Sequence, residues 1–190
     1  GKTKLISQEQ LPLGGAHNVL NCMAALALGT AVGLEMASML EDLKSFRGLP
    51  HRCELVKKIN DVTFYNDSKA TNIASCEAAI RSFAVGRNII LLLGGVSKET
   101  GFSDLGPLVK ACVKKVIAFG EARAEISETL GEFCDLERCT NLARAVTLAK
   151  KSAKPRDIVL FSPACASFDM FEDYRARGDA FKSLVYRYSP

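Results

Sequence analysis

The chain lacks tryptophan, has only two histidines, and contains no apolar run near the ~18 residues that a membrane-spanning helix needs. Its longest apolar stretches, such as Ile89-Ile90-Leu91-Leu92-Leu93, are strand-sized, and the opening residues show no basic, apolar, cleavable pattern. A cytoplasmic setting without a membrane partner is therefore expected. His17 and His51 stand alone, and neither H-E-x-x-H nor C-x-x-C occurs, so no metal site is expected. The cysteines, at positions 22, 53, 76, 112, 134, 139 and 165, are odd in number and lie mostly in apolar surroundings, which reads as reduced, buried thiols. The dinucleotide fingerprint G-x-G-x-x-G is missing, and so is a phosphate loop, because Gly1-Lys2-Thr3 copies only the last letters of that motif. Ser167 has neither a nearby histidine nor the G-x-S-x-G elbow of a hydrolase nucleophile. A net charge of +4 is spread over 25 basic and 21 acidic residues, which does not suggest the clustered basic face of a nucleic-acid binder.

What is present is an ordinary globular composition, 48% hydrophobic over 190 residues, with room for a real core. A short strand is predicted at Thr3–Ile6, followed by helices over His17–Val32 and Glu35–Phe46. Arg47-Gly48-Leu49-Pro50 breaks the pattern and marks a boundary, with residues 1–47 before it and 48–190 after it. Strands and helices then alternate. Strands are predicted at Cys53–Ile59 and Val62–Tyr65 around an Asn60-Asp61 turn, at Asn88–Leu93, Lys115–Phe119, weakly at Phe133–Leu136, and at Asp157–Phe161. The intervening helices span Ile73–Phe83, Ser103–Cys112, Ala122–Leu130 and Leu142–Ser152, and a closing helix runs from about Met170 to Tyr186. Strands apolar on both faces (IILLL, VIAF, IVLF) imply an α/β, Rossmann-like doubly wound, mostly parallel sheet with helices on both faces.

In such a sheet, ligands sit beyond the carboxyl ends of the strands. Three small-residue loops follow strands: Asn66-Asp67-Ser68-Lys69-Ala70-Thr71-Asn72, Gly94-Gly95-Val96-Ser97-Lys98, and Ser162-Pro163-Ala164-Cys165-Ala166-Ser167. Small residues let backbone N–H groups approach a ligand, and the lysines can meet an anion, so a small, multiply negative ligand is expected. Each loop also has a plainer reading, since Asp67, Ser68, Thr71 and Asn72 are all competent helix caps and Gly-Gly serves tight strand-to-helix turns.

Taken together, Gly14-Gly15-Ala16-His17-Asn18-x-x-Asn21, Gly48-Leu49-Pro50-His51-Arg52-x-Glu54, NDSKATN, LLLGG-x-x-K and SPACAS-x-D resemble the Mur ligases of peptidoglycan synthesis, nearest to the members that add D-glutamate. The resemblance covers essentially the whole chain, but only part of the family's three-domain architecture. It implies a C-terminal remnant of the central ATPase domain at 1–47 and a complete C-terminal domain at 48–190. The UDP-substrate domain, the phosphate loop and the central metal ligands have no counterpart.

The resemblance also implies ATP-driven amide synthesis with Mg2+, in which UDP-N-acetylmuramoyl-L-alanine is activated as an acyl phosphate and attacked by D-glutamate. No residue of this chain is then a nucleophile or base, and the chain alone is expected to be inactive without the missing N-terminal and central domains. By the same resemblance, Asn18, Asn21, Arg52 and Asp67 are ATP contacts. Lys69, Thr71, Lys98 and Ser167 form the D-glutamate pocket, with backbone near Phe168 and Tyr174 assisting. His51 orients neighbours at the domain interface or is simply a packed histidine, and Asp169 is read as the cap of the last helix. Another Mur-type or folylpolyglutamate ligase and a noncatalytic Rossmann-like binding module stay open as alternatives; an NAD-dependent enzyme is disfavoured by the missing fingerprint.

Overall fold

The computed structural model describes residues 4–12, 16–98 and 101–188. The chain divides into two compact units between Leu49 and Pro50.

The first unit is helical. Helix α1 (Ala16–Ala31) and helix α2 (Met36–Ser45) pack together, with Cys22, Leu26 and Gly29 of α1 buried at helical spacing. Gly33, at φ 81°, stops α1, and the Leu34 N–H reaches back to the Gly29 carbonyl at 2.9 Å. The predicted opening strand is absent from residues 4–6, while Thr3 lies outside the described residues. Among the described residues no neighbouring strand takes up the backbone groups of residues 4–6, and a short 3-10 turn at Gln8–Gln10 follows instead. Gly1-Lys2-Thr3 and Gly14-Gly15 also lie outside the described residues.

The second unit carries a six-stranded sheet in the order β1-β2-β6-β3-β4-β5. β1 (Glu54–Ile59) and β2 (Val62–Asn66) form an antiparallel hairpin. Asn60 (φ 49°) and Asp61 (φ 63°) both adopt the left-handed conformation that a two-residue hairpin turn demands. The remaining neighbours are parallel: β2 with β6 (Ile158–Phe161), β6 with β3 (Ile89–Gly94), β3 with β4 (Val113–Phe119), and β4 with β5 (Asp135–Arg138).

Helices α3 (Ile73–Phe83), α4 (Gly106–Cys112) and α5 (Arg123–Leu130) cover one face, and α6 (Leu142–Ser152) and α7 (Tyr174–Tyr186) cover the other. Strand β3 shows the reason for its continuous apolar run. Ile89, Leu91 and Leu93 enter the first core, and Ile90 and Leu92 enter the second. All five are fully buried, each contributing on the order of 1.5–3 kcal/mol. The fold is thus α/β and doubly wound, with an antiparallel strand at one edge. No helix among the described residues is long and apolar enough to cross a membrane.

Two element ends differ from expectation for identifiable reasons. β5 occupies Asp135–Arg138 rather than Phe133–Leu136, because the Phe133 N–H closes the end of α5 onto the Leu130 carbonyl at 3.0 Å. α7 starts at Tyr174, not Met170, and its cap is Asp173, whose Oδ1 accepts the Ala176 N–H at 2.7 Å. Asp169 does not cap it. Residues 167–171 form a separate turn, in which the Met170 and Phe171 N–H groups meet the Ser167 carbonyl at 3.2 and 2.9 Å. The Asp169 carboxylate instead accepts the Glu121 N–H at 3.0 Å.

Candidate functional site

Because β6 lies between β2 and β3, the loops at 67–72, 162–167 and 94–98 leave three adjacent parallel strands at the same edge. The second and third are joined further. Gly94 N–H donates to the Pro163 carbonyl at 3.0 Å, and Val96 and Ala166 exchange two backbone hydrogen bonds of 2.9 Å. This closeness explains the glycine pair. Gly94 and Gly95 have φ of 145° and 135°, and a Cβ would lie 2.0 Å from the carbonyl oxygens of Phe119 and Ala166 respectively.

Asp67 is buried at the head of the first loop. Its Oδ2 accepts from Ser162 Oγ at 2.7 Å and its Oδ1 from the Cys53 N–H at 3.1 Å. Burial pushes its pKa from 3.8 up to about 6, although the Ser162 and Cys53 hydrogen bonds and the Arg52 charge pull it down. Arg52 is exposed, and its neighbours His51 (φ 63°) and Cys53 (φ 47°) both hold left-handed backbone. Burial, with Asp67 beside it, raises the Cys53 thiol, so this half-buried cysteine is no ready nucleophile. All seven cysteines are free; Cys22, Cys76, Cys139 and Cys165 are buried, while Cys53, Cys112 and Cys134 are half-buried.

The predicted amino-acid-binding residues separate into two groups. Lys69 reaches the hydroxyl of Tyr174 at 3.4 Å and lies 5.1 Å from the centroid of its ring. Thr71 and Lys98, with Asn72, Ser97 and Phe102, line a shallow depression open to solvent. Asn72 is the loop residue that caps α3, its Oδ1 accepting the Ser75 N–H at 2.8 Å. Ser167 is buried, whereas Phe168 beside it is exposed.

His51 is buried. Asn66 Nδ2 donates to its Nδ1 at 3.0 Å, and its carbonyl accepts the Lys69 N–H at 3.1 Å. It therefore sets the backbone from which Lys69 projects. Asn18 and Asn21 lie one turn apart on α1, in the other unit, with Asn21 exposed.

The residue that sequence reasoning missed is Arg177, in the first turns of α7 and fully buried. Its guanidinium donates to Ser68 Oγ (3.1 Å) and to the carbonyls of Ser68 (2.9 Å), Cys165 (3.0 Å), Ala166 (3.1 Å) and Gly94 (3.5 Å). Burial pulls its pKa down to about 10, against the nearby Cys165 and Asp169. One signal was available: a helix dipole disfavours a cation near the N-terminus, so arginines at 175 and 177 are out of place there unless something else holds them.

A doubly wound sheet with lysine-bearing loops and a buried carboxylate at its carboxyl edge is the arrangement in which α/β domains take up small molecules. Residues 51–165 match the family described as Mur ligase, glutamate ligase domain. The chain is 46% identical to UDP-N-acetylmuramoylalanine–D-glutamate ligase of Acinetobacter baylyi, over 97% of this chain and 42% of that protein. It is 41% identical to the Legionella pneumophila protein of the same name, over 97% and 42%. Among solved structures, UDP-N-acetylmuramate-alanine ligase MurC of Thermotoga maritima has the same fold, with a TM-score of 0.66 at 20% identity over 93% of this chain and 39% of that one. MurF ligase of the same organism, solved with ADP, gives a TM-score of 0.65 at 20% identity over 91% and 40%. The chain belongs to the Mur ligase family. It spans about two fifths of the length of the curated relatives it matches.

Proposed function

We propose that this chain is the part of an ATP-dependent ligase that receives the amino acid and one side of the nucleotide, and that the whole enzyme joins D-glutamate to UDP-N-acetylmuramoyl-L-alanine. The observation that carries the reading is that Asp67, Lys69 and Thr71, on the loop after β2, and Lys98, on the loop after β3, leave the same edge of the sheet on either side of β6, with Thr71 and Lys98 lining one depression, in a chain 46% identical to a ligase of that name. Residues up to 47 are then the end of a central ATPase domain, and those from 48 onward are the C-terminal domain.

The chemistry asks for no nucleophile from the protein. A carboxylate oxygen of UDP-N-acetylmuramoyl-L-alanine attacks the γ-phosphorus of ATP, and ADP leaves. The D-glutamate nitrogen then attacks the acyl carbon, the phosphate leaves with the bonding electrons, and the nitrogen loses a proton. Ionised Asp67 accepts hydrogen bonds from ribose hydroxyls, and the Arg52 guanidinium meets phosphate oxygens. Asn18 and Asn21 offer amides to the base. Lys69 and Lys98 answer the two carboxylates of D-glutamate, Thr71 and Ser167 add hydroxyls, and backbone at Phe168 and Tyr174 completes the pocket. Their work is positioning. Among the described residues no three His, Cys, Asp or Glu side chains gather to hold a metal ion. A cytoplasmic location follows from the substrates.

The test is an assay of phosphate release by the full-length parent with ATP, UDP-N-acetylmuramoyl-L-alanine and single amino acids. Release with D-glutamate alone is expected; release with L-lysine and not D-glutamate would overturn the reading. The 190-residue chain by itself is expected to show no turnover, and measurable ligase activity from it would contradict the assignment of the phosphate-handling groups to the rest of the protein.

A further inference from the structure

We propose that Arg177 is a positioning residue for the incoming amino acid, one buried guanidinium that fixes the three substrate loops relative to each other. The inference rests on the functional reading above and deepens it. A guanidinium has five N–H donors in a rigid plane, and here they are spread over three loops that are far apart in sequence. Nε and Nη2 hold Ser68 of the first loop, Nη2 and Nη1 hold Cys165 and Ala166 of the second, and Nη1 touches Gly94 at the start of the third.

Each anchor adjoins a group placed in the amino-acid pocket. Ser68 directly precedes Lys69, and Ala166 directly precedes Ser167. Gly94 opens the loop that ends in Lys98, and the Val96–Ala166 bridge ties that loop to the second. The Ser68 hydroxyl passes the connection on, donating to the Tyr174 carbonyl at 2.8 Å, and Tyr174 in turn meets Lys69. Asp67 also adjoins Ser68, but its carboxylate is held separately, by Ser162 and the Cys53 N–H, so the nucleotide side does not lean on Arg177 to the same degree.

The cost of this arrangement argues that it serves more than stability. Arg177 forms no ion pair among the described residues. A buried cation hydrogen-bonded to carbonyls and a hydroxyl, with the Phe161 ring and the Asp169 charge nearby but no direct ion pair, is expensive compared with an apolar side chain of similar volume.

The test uses the full-length enzyme carrying Arg177→Lys, which keeps the charge but cannot span three loops. Its KM for D-glutamate is expected to rise about tenfold or more, with the KM for ATP changed by less than about threefold. Hydrogen exchange should quicken in the three loops and not in β3 or β4. A merely structural arginine would lower the active fraction and leave both KM values and the loop exchange of the folded enzyme unchanged, and that result overturns the proposal. Equal rises in both KM values do so as well. If Arg177→Lys does not fold, Ser68→Ala removes one anchor and leaves the guanidinium in place; a rise in the D-glutamate KM of about two- to fivefold is expected, and no rise overturns the proposal. A parent that uses a different amino acid refutes the substrate assignment alone, and the same comparison is then made with that amino acid.

Discussion

Ser162 Oγ donates to Asp67 Oδ2 at 2.7 Å, joining residues 95 apart in sequence across the β2–β6 pair. The carboxylate is held, yet burial still keeps its pKa near 6 against an ordinary 3.8. The folded state thus binds the proton more tightly than the unfolded chain does. Stability from this group is fully present below about pH 4, declines as pH rises toward 6, and is flat above. Asp67→Asn keeps a partner for both Ser162 and the Cys53 N–H and removes the buried charge. Thermal or urea melts at pH 4, 6 and 8 are expected to show the slope lost and a gain on the order of 2–3 kcal/mol at pH 8. A variant less stable than the parent at pH 8 would contradict this account.

Gly178→Ala is expected to destabilise the fold although the site is helical. Alanine improves helix propensity by about 1 kcal/mol. Here its Cβ would lie 2.2 Å from Nδ1 of buried His51, and overpacking of that kind costs about 1–3 kcal/mol or more. The clash wins. In a His51→Ala background the same substitution should cost little, and a double-mutant cycle of melts measures the coupling.

Lys98→Ala in the full-length parent is expected to raise the KM for D-glutamate by about tenfold or more while that for ATP changes little, since only the amino acid needs this charge in the pocket. Steady-state kinetics with each substrate varied decides it. Equal shifts in the two constants would remove Lys98 from the pocket.

Asp173→Ala should cost about 1 kcal/mol through the lost cap of α7. Chemical denaturation of this variant against the parent provides the measurement, and an unchanged midpoint would show that the Ala176 N–H is satisfied another way. Because α7 carries both Tyr174 and Arg177, fraying of its first turn should also weaken D-glutamate use.

Much of this architecture was legible because it is local. Double-sided apolar runs announce a covered parallel sheet, and Asn60-Asp61 announces its hairpin. The three loops were legible as strand-to-helix connections at one edge of the sheet, because small polar residues cap helices and paired glycines make tight turns. What escaped is what depends on packing partners. Residues 4–6 have the composition of a strand but no strand beside them among the described residues, and the end of β5 is set by a turn that α5 makes with Phe133. Asp169 and Asp173 are equally good caps on paper, and only the turn after Ser167 separates them. Arg177 is the extreme case, since all but one of its hydrogen bonds go to backbone carbonyls, which carry no residue identity.

Strand β6 is among the last elements in the chain, yet it occupies the middle of the sheet, between β2 and β3. During synthesis, a ribosome therefore releases β1 to β5 with a gap where their central neighbour belongs. Two open strand edges face each other across that gap, and unpaired edges invite wrong partners. The three loops proposed to handle substrate come together only when residues 158–177 arrive. The binding surface is thus a late product of folding, and a chain stalled or clipped after α6 would present a sticky half-sheet in its place.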